Sequence, residues 1–244
     1  MSGHSKWSQI KHKKAATDAK KGQLFSKMVR EIMVAAKTGG PAPETNQRLK
    51  TAVERARASG LPKENIERAI ERASGSGDAA SLQEFLYEAT APEGVAILIE
   101  GITDNKNRSL AEIKHILSER GGKLAEQGSL LWNFDKVGTL EIYPKDGNQK
   151  MGEEIELEII ESGAKDLQKT SEGWMVETDF QEMEKVRKEL EKRNLNIKSL
   201  AHDYKVVAPV KVSNETKNLI ETILNKLSDH DDVQEVYTNL TPDI

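Results

Sequence analysis

The sequence predicts an α+β multidomain protein, and three observations carry that prediction. As far as Gly77 the apolar residues recur at three- and four-residue steps with no strand-like alternation. From Gly138 to Val207 strand and helix patterns spell β-α-β-β-α-β, the ferredoxin-like order. A helix and a strand are left over at the C-terminal end, and they need strands upstream of Gly138 to pair with. The expected layout is an N-terminal three-helix domain (1–77), an α+β middle domain from two flanks (78–136 plus 208–244), and a ferredoxin-like (βαββαβ) domain inserted in it (137–207).

The first predicted helix covers Gln23 to Thr38, with Leu24, Phe25, Met28, Val29, Ile32, Met33 and Ala36 on one side and Gly39-Gly40-Pro41 as its stop. A second runs from about Glu44 to Ala58 and ends at Gly60; a third starts at Pro62, carries Ile66, Ala69, Ile70 and Ala73, and ends in the SGSG stretch at Ser74. With few large apolar residues, the three make a thin bundle expected to move relative to the rest. Phe85 to Ala91 and Val95 to Ile102 read as strands around Pro92-Glu93-Gly94, Leu110 to Glu119 as a helix, and Leu130 to Phe134 as a strand. The inserted series places strands at Gly138 to Tyr143, Ala164 to Thr170, Gly173 to Thr178 and Ile197 to Val207, and helices at Gly152 to Ser162 and Asp179 to Arg193. The tail supplies a helix, Asn214 to Leu227, and a strand, Val233 to Leu240.

Charge divides the chain more sharply than secondary structure does. The first 77 residues hold 16 Lys or Arg against 7 Asp or Glu, whereas the remainder holds 20 against 33. A polyanion laid along the acidic part would be repelled, so nucleic acid is expected to be gripped from the N-terminal end. Lys6, Lys13, Lys20 and Lys27 fall seven apart, with Lys14 and Lys21 adjacent, so a helix would line them on one face. Such a stripe spans about 30 Å at ~1.5 Å per residue. Lys11 and Arg30 extend it, and Trp7 and His12 suit stacking on a base or ribose, although Trp7 equally suits an anchor on the bundle. Gly22 stands inside the stripe, and a break there would leave the arm to order on binding.

A second candidate site lies in Thr103 to Ser109, where a strand hands over to a helix. Asn105, Lys106, Asn107 and Arg108 would offer a capped N-terminus and two cations to a phosphate or a partner's carboxylate, with Asn107 or Ser109 as the cap. The plainer reading is a capped turn with solvated charges. Arg48, Arg55, Lys63, Arg68 and Arg72 extend the basic face, with Glu54, Glu64, Glu67 and Glu71 in reach at helical spacing. The acidic face of Gly152 to Ser162 suits a basic protein partner or a ribosome.

Nothing points to catalysis. No Walker loop, HExxH or GxSxG occurs, and His4, His12, His115, His202 and His230 lack ligand spacing. Asp229-His230-Asp231-Asp232 is expected to be a solvated loop rather than a metal site, and no cofactor is expected. Trp132 and Trp174 lie in strand patterns and are expected in the core or on a sheet face. No cysteine is present, no stretch approaches the ~20 apolar residues of a membrane span, and the start lacks a secretory signal's apolar run. A cytoplasmic location is expected.

The stretches GHSKWSQIKHKKAATDAKKGQLFSK at the start, LPKENIERAIERASGSG from Leu61 and GVAILIEGITDNKNRS from Gly94 closely resemble the YebC/PmpR family, which also contains the mitochondrial translational activator of cytochrome c oxidase. The likeness runs along the whole chain and implies the same three-domain layout. It implies a non-enzymatic, DNA-binding transcriptional regulator, or in the alternative a ribosome-associated, ribosomal-RNA-binding translation factor that relieves stalling at proline-rich stretches.

Overall fold

Residues 18–74, 81–144, 152–171 and 173–241 are described by the computed structural model. In chain order they form α1 (Asp18–Gly39), α2 (Gln47–Ala58), α3 (Lys63–Ser74), β1 (Gln83–Thr90), β2 (Ala96–Thr103), α4 (Lys106–Ser118), β3 (Lys123–Leu124) and β4 (Phe134–Pro144). There follow α5 (Glu153–Glu161), β5 (Asp166–Lys169), β6 (Trp174–Asp179), α6 (Met183–Lys192), β7 (Leu195–Val206), α7 (Asn214–Ser228) and β8 (Val233–Thr238). The architecture is α+β, with four-stranded sheets ordered β3-β1-β2-β8 and β5-β6-β4-β7. The described residues divide into two compact units, one within 136–205 and one within 18–135 and 206–241.

In the larger unit α1, α2 and α3 close around Ile32, Ala35, Leu49, Ala52, Ala56, Ile66 and Ala69, all buried. Alanines at four of these positions let the helices approach closely, which is how so few large side chains make a core. Buried Asn46 ties the first turn together: its Oδ1 accepts the Leu49 N–H, and its Nδ2 donates to the carbonyls of Ala35 and Gly40. A thin bundle standing apart from the rest is not what forms. Leu82, just before β1, and Ile102 of β2 belong to the same cluster as the helices.

The first sheet is antiparallel, with β2 central between β1 and β8. Phe85, Ile97, Ile99 and Val236 on one face meet Ile113 and Leu117 of α4 and Ile220, Ile223, Leu224 and Leu227 of α7. β2 is nearly continuously buried because Ile102 and its neighbours face the bundle on the other side. At Gly101 an added Cβ would collide with the Phe85 ring and the carbonyl of Asp232. Gly101→Ala is therefore expected to cost about 1–3 kcal/mol of stability by overpacking, read as a lower urea midpoint.

In the smaller unit β6 pairs antiparallel with both β4 and β5, and β-α-β-β-α-β is its element order. Leu140, Ile142, Trp174 and Val176 pack against Ile155 and Ile159 of α5 and Val186 and Leu190 of α6. Trp174 is fully buried, while Trp132 is 68% exposed. The predicted strand Leu130 to Phe134 is instead a 3₁₀ turn, Leu131–Asn133, with β4 starting at Phe134. Side-chain hydrogen bonds win there: the Trp132 indole donates to the nearby Ser129 carbonyl, and buried Glu88, far upstream on β1, accepts the backbone N–H groups of Gly128 and Leu130. Two-residue β3 escaped the sequence reading because so short a strand leaves no alternation to read.

Candidate nucleic-acid interface

Lys6, Trp7, Lys11, His12, Lys13 and Lys14 lie outside the described residues. The remaining stripe residues sit on α1, and they divide. Lys20 and Lys21 are exposed; Lys21 lies 5.6 Å above the Phe25 ring centroid and makes no ion pair with a described residue. Lys27 is only 5% exposed, and its Nζ donates at 2.6 Å to the carbonyl of Ser228, the last residue of α7. A cation on the carbonyl end of a helix satisfies an orphan acceptor and complements the helix dipole. Arg30 donates from Nη1 to the Asp231 carbonyl at 2.6 Å and to Asp232 Oδ1 at 2.7 Å. Gln23 reaches Asp231 Oδ1 at 3.0 Å, and Lys20 lies 3.8 Å from Asp229. One side of α1 thus grips the α7–β8 loop.

That loop was expected to be solvated throughout, and the structure corrects this for one residue. Asp229 and Asp231 are exposed, but the Asp232 side chain is only 3% exposed. Its Oδ2 accepts hydrogen bonds from Ser109 Oγ (2.6 Å), Arg108 Nη2 (2.8 Å) and Thr103 Oγ1 (3.0 Å). Burial pushes the Asp232 carboxyl up, but the bonds from Ser109, Arg108 and Thr103 and the charge of Arg30 outweigh it, and the group is held below its ordinary range. Its partner responds in kind: the bonds to Asp232 and Asp104 raise the Arg108 guanidinium above its ordinary value.

The second candidate site is therefore occupied from within. Asn105, rather than Asn107 or Ser109, caps α4 by accepting the Arg108 N–H at 3.1 Å. The cap lies earlier because the Ser109 hydroxyl turns inward to Asp232 and Thr103. Lys106 and Asn107 are exposed, and Arg108 takes the carboxylates of Asp104 and Asp232. The carboxylate that the cationic turn suits is supplied by this chain, more than a hundred residues downstream.

Glu112, His230 and Asp232 bring three potential metal-ligand atoms within 4.8 Å of one another. Their lone pairs are engaged: His230 Nδ1 accepts the Asp232 N–H, His230 Nε2 faces Glu112 at 2.9 Å, and two guanidiniums already neutralise Asp232. A dication would have to displace both arginines.

Two arginines of the basic face also find partners within the same unit while staying exposed. Arg48 pairs with Glu84 of β1, and Arg55 pairs with Glu31 at 3.1 Å and Glu235 of β8 at 3.9 Å. Lys63 pairs along its helix with Glu67. Arg57, Arg68 and Arg72 are exposed with no ion pair to another described residue.

The model of the TACO1/YebC protein N-terminal domain matches residues 5–76, and that of the TACO1/YebC second and third domain matches residues 82–240. The chain belongs to the TACO1/YebC family. A probable transcriptional regulatory protein of Caldanaerobacter subterraneus subsp. tengcongensis is 43% identical over 240 residues, 98% of each chain. One from Thermotoga petrophila is 43% identical over 243 residues, covering 100% of this chain and 95% of that one. The crystal structure of a conserved hypothetical protein from Aquifex aeolicus has a TM-score of 0.78 at 39% identity, over 98% of both chains. Within this TACO1/YebC chain, no helix among the described residues is long and apolar enough to cross a membrane.

Proposed function

We propose that this chain is a non-enzymatic, cytoplasmic regulator of gene expression that binds DNA through its N-terminal part, residues 1–77. The observation that carries the reading is the division of the cations. Once the internal partners are counted, Lys21, Arg57, Arg68 and Arg72 remain exposed without an ion pair to a described residue, and the sequence leading into α1 bears Lys6, Lys11, Lys13 and Lys14. The likeness to probable transcriptional regulatory proteins supports a role in transcription.

Lys20 lies at the border, and Lys27 and Arg30 serve the docking of α1. Phosphate contacts then fall to Lys6, Lys11, Lys13, Lys14, Lys20 and Lys21, with Trp7 and His12 as stacking groups. The acidic remainder, taken as a middle domain (78–136 plus 208–244) and a ferredoxin-like insert (137–207), repels a polyanion by its charge, and the α7–β8 loop of the middle domain holds α1. Footprinting on promoter duplex with competitor DNA at physiological salt tests this, alongside crosslinking in cells and sequencing of the attached nucleic acid. Protection of discrete duplex sites is expected. Crosslinks confined to ribosomal RNA, with no protection, would overturn the DNA reading in favour of an RNA target.

A further inference from the structure

The two helices of the 136–205 unit pack on one core but differ in their outer faces. Around α6 every acid has a nearby base: Glu182 with Lys185, Glu184 and Glu191 with Arg187, and Glu189 with Lys192. On α5 Glu156 lies 3.7 Å from Lys169 and Glu161 pairs with Arg193, whereas Glu153, Glu154 and Glu158 have no ion pair among the described residues. Glu154 and Glu158 are like charges at i,i+4, and Glu158 and Glu161 at i,i+3, arrangements that weaken a helix. Glu158 and Glu161 also sit in the half of α5 where the dipole favours cations.

Amid these carboxylates stand two large apolar side chains, Leu157 at 60% and Ile160 at 51% exposure. At 100° per residue Leu157 lies opposite the side that Ile155 and Ile159 bury, with Glu153, Glu154, Glu161 and Ile160 around it. Among the described residues the core of the unit takes Ile155 and Ile159 from α5 and leaves Leu157 and Ile160 outside it.

We propose that the outer face of α5 docks a cationic amphipathic segment of a partner protein. Its apolar side chains seat on Leu157 and Ile160, and its lysines or arginines meet Glu153, Glu154 and Glu158. The sign of the charge rejects nucleic acid and anionic lipid, and two copies of α5 face to face would set like charges together. The apolar pair gives the contact a desolvated centre, and the carboxylates give it a polar rim that selects for positive charge.

The test is fluorescence anisotropy on the full chain, with a labelled helical peptide of roughly four turns carrying leucines on one face and lysines elsewhere, at low salt. The control peptide has the same composition with its leucines scattered around the helix. Wild type is expected to bind the amphipathic peptide and to bind the control about tenfold more weakly. Leu157→Ser with Ile160→Ser, and separately Glu154→Lys with Glu158→Lys, are each expected to weaken binding by about tenfold. Glu184→Lys with Glu189→Lys on α6, an equal change in charge, is expected to leave it unchanged. Binding untouched by the serine pair, or weakened equally by the α6 reversal, would overturn the proposal. So would a wild-type dimer in sedimentation equilibrium that the serine pair abolishes, because the face would then belong to a second copy. Glu154, Leu157, Ile160 and Glu184 are exposed and Glu158 and Glu189 half-buried, and circular dichroism of each variant verifies its fold. DNA retention by the serine pair is expected to match wild type, so failure here leaves the nucleic-acid reading standing.

Discussion

Replacing Asp232 with alanine is expected to lower the unfolding free energy by about 3 kcal/mol. The variant removes the carboxylate that Arg30 and Arg108 share, leaving Arg108 with Asp104 alone, and it takes away the carboxylate oxygen to which the buried hydroxyls of Thr103 and Ser109 donate. The low end of the range for a broken buried pair applies because the Arg30 and Arg108 side chains are 27% and 43% exposed. Urea unfolding at neutral pH measures it, and an unchanged midpoint would show that the cluster does not hold α1 to the α7–β8 loop. The pH dependence has a definite sign. Asp232 is depressed in the folded state, so its contribution is complete above the unfolded carboxyl value of about 3.9 and is lost as pH falls through the lower folded one. Wild type should lose more stability than Asp232→Ala on going from pH 5 to the region below about pH 3.

Reversing Lys13, Lys14, Lys20 and Lys21 to glutamate is expected to reduce affinity for duplex DNA by at least about a hundredfold near physiological salt. Each lost phosphate contact removes roughly 0.9 from the slope of log affinity against log salt, so four should flatten it by about three to four. Stability should change little, because Lys20 and Lys21 are exposed and the Lys20–Asp229 pair at 3.8 Å is a surface contact. Lys27→Met makes the contrast. It removes the cation from the Ser228 carbonyl while keeping most of the apolar stem, so it should lower the melting temperature and leave the salt slope unchanged. Filter binding across a salt series, paired with thermal unfolding, separates the two classes; a quadruple variant that binds with the wild-type slope would remove the stripe from the interface.

The charge asymmetry of the chain thus has two origins. Part of it is cations that stay exposed, Lys21, Arg57, Arg68 and Arg72 among them. Part is the complementarity of a basic bundle and an acidic sheet and loop within one compact unit, where Arg48 meets Glu84, Arg55 meets Glu235 and Arg30 meets Asp232. A count of residues along the sequence cannot separate these, because both raise the same number. Local signals fared better. The helix stops at Gly39-Gly40 and Gly60, the hairpin at Pro92-Glu93-Gly94 and the alternation of the inserted series were all readable, since each depends on neighbours a few residues away. Trp132 was misplaced for a related reason: a buried carboxylate on β1, Glu88, holds its loop, and no local pattern announces that partner.

Apart from the turn at Leu131–Asn133 and two-residue β3, the order and kind of the elements, the thinness of the helical core and the excess of positive charge at one end follow from the sequence alone, because periodicity, turn chemistry and composition act over short range. Which cations face solvent was decided only in three dimensions. Lys27 and Arg30 find their acceptors 201 residues away, and Arg108 finds Asp232 at a separation of 124. A hydrogen bond or ion pair depends on distance in space, and chain separations of that size carry no information about it until the sheet and helices have closed.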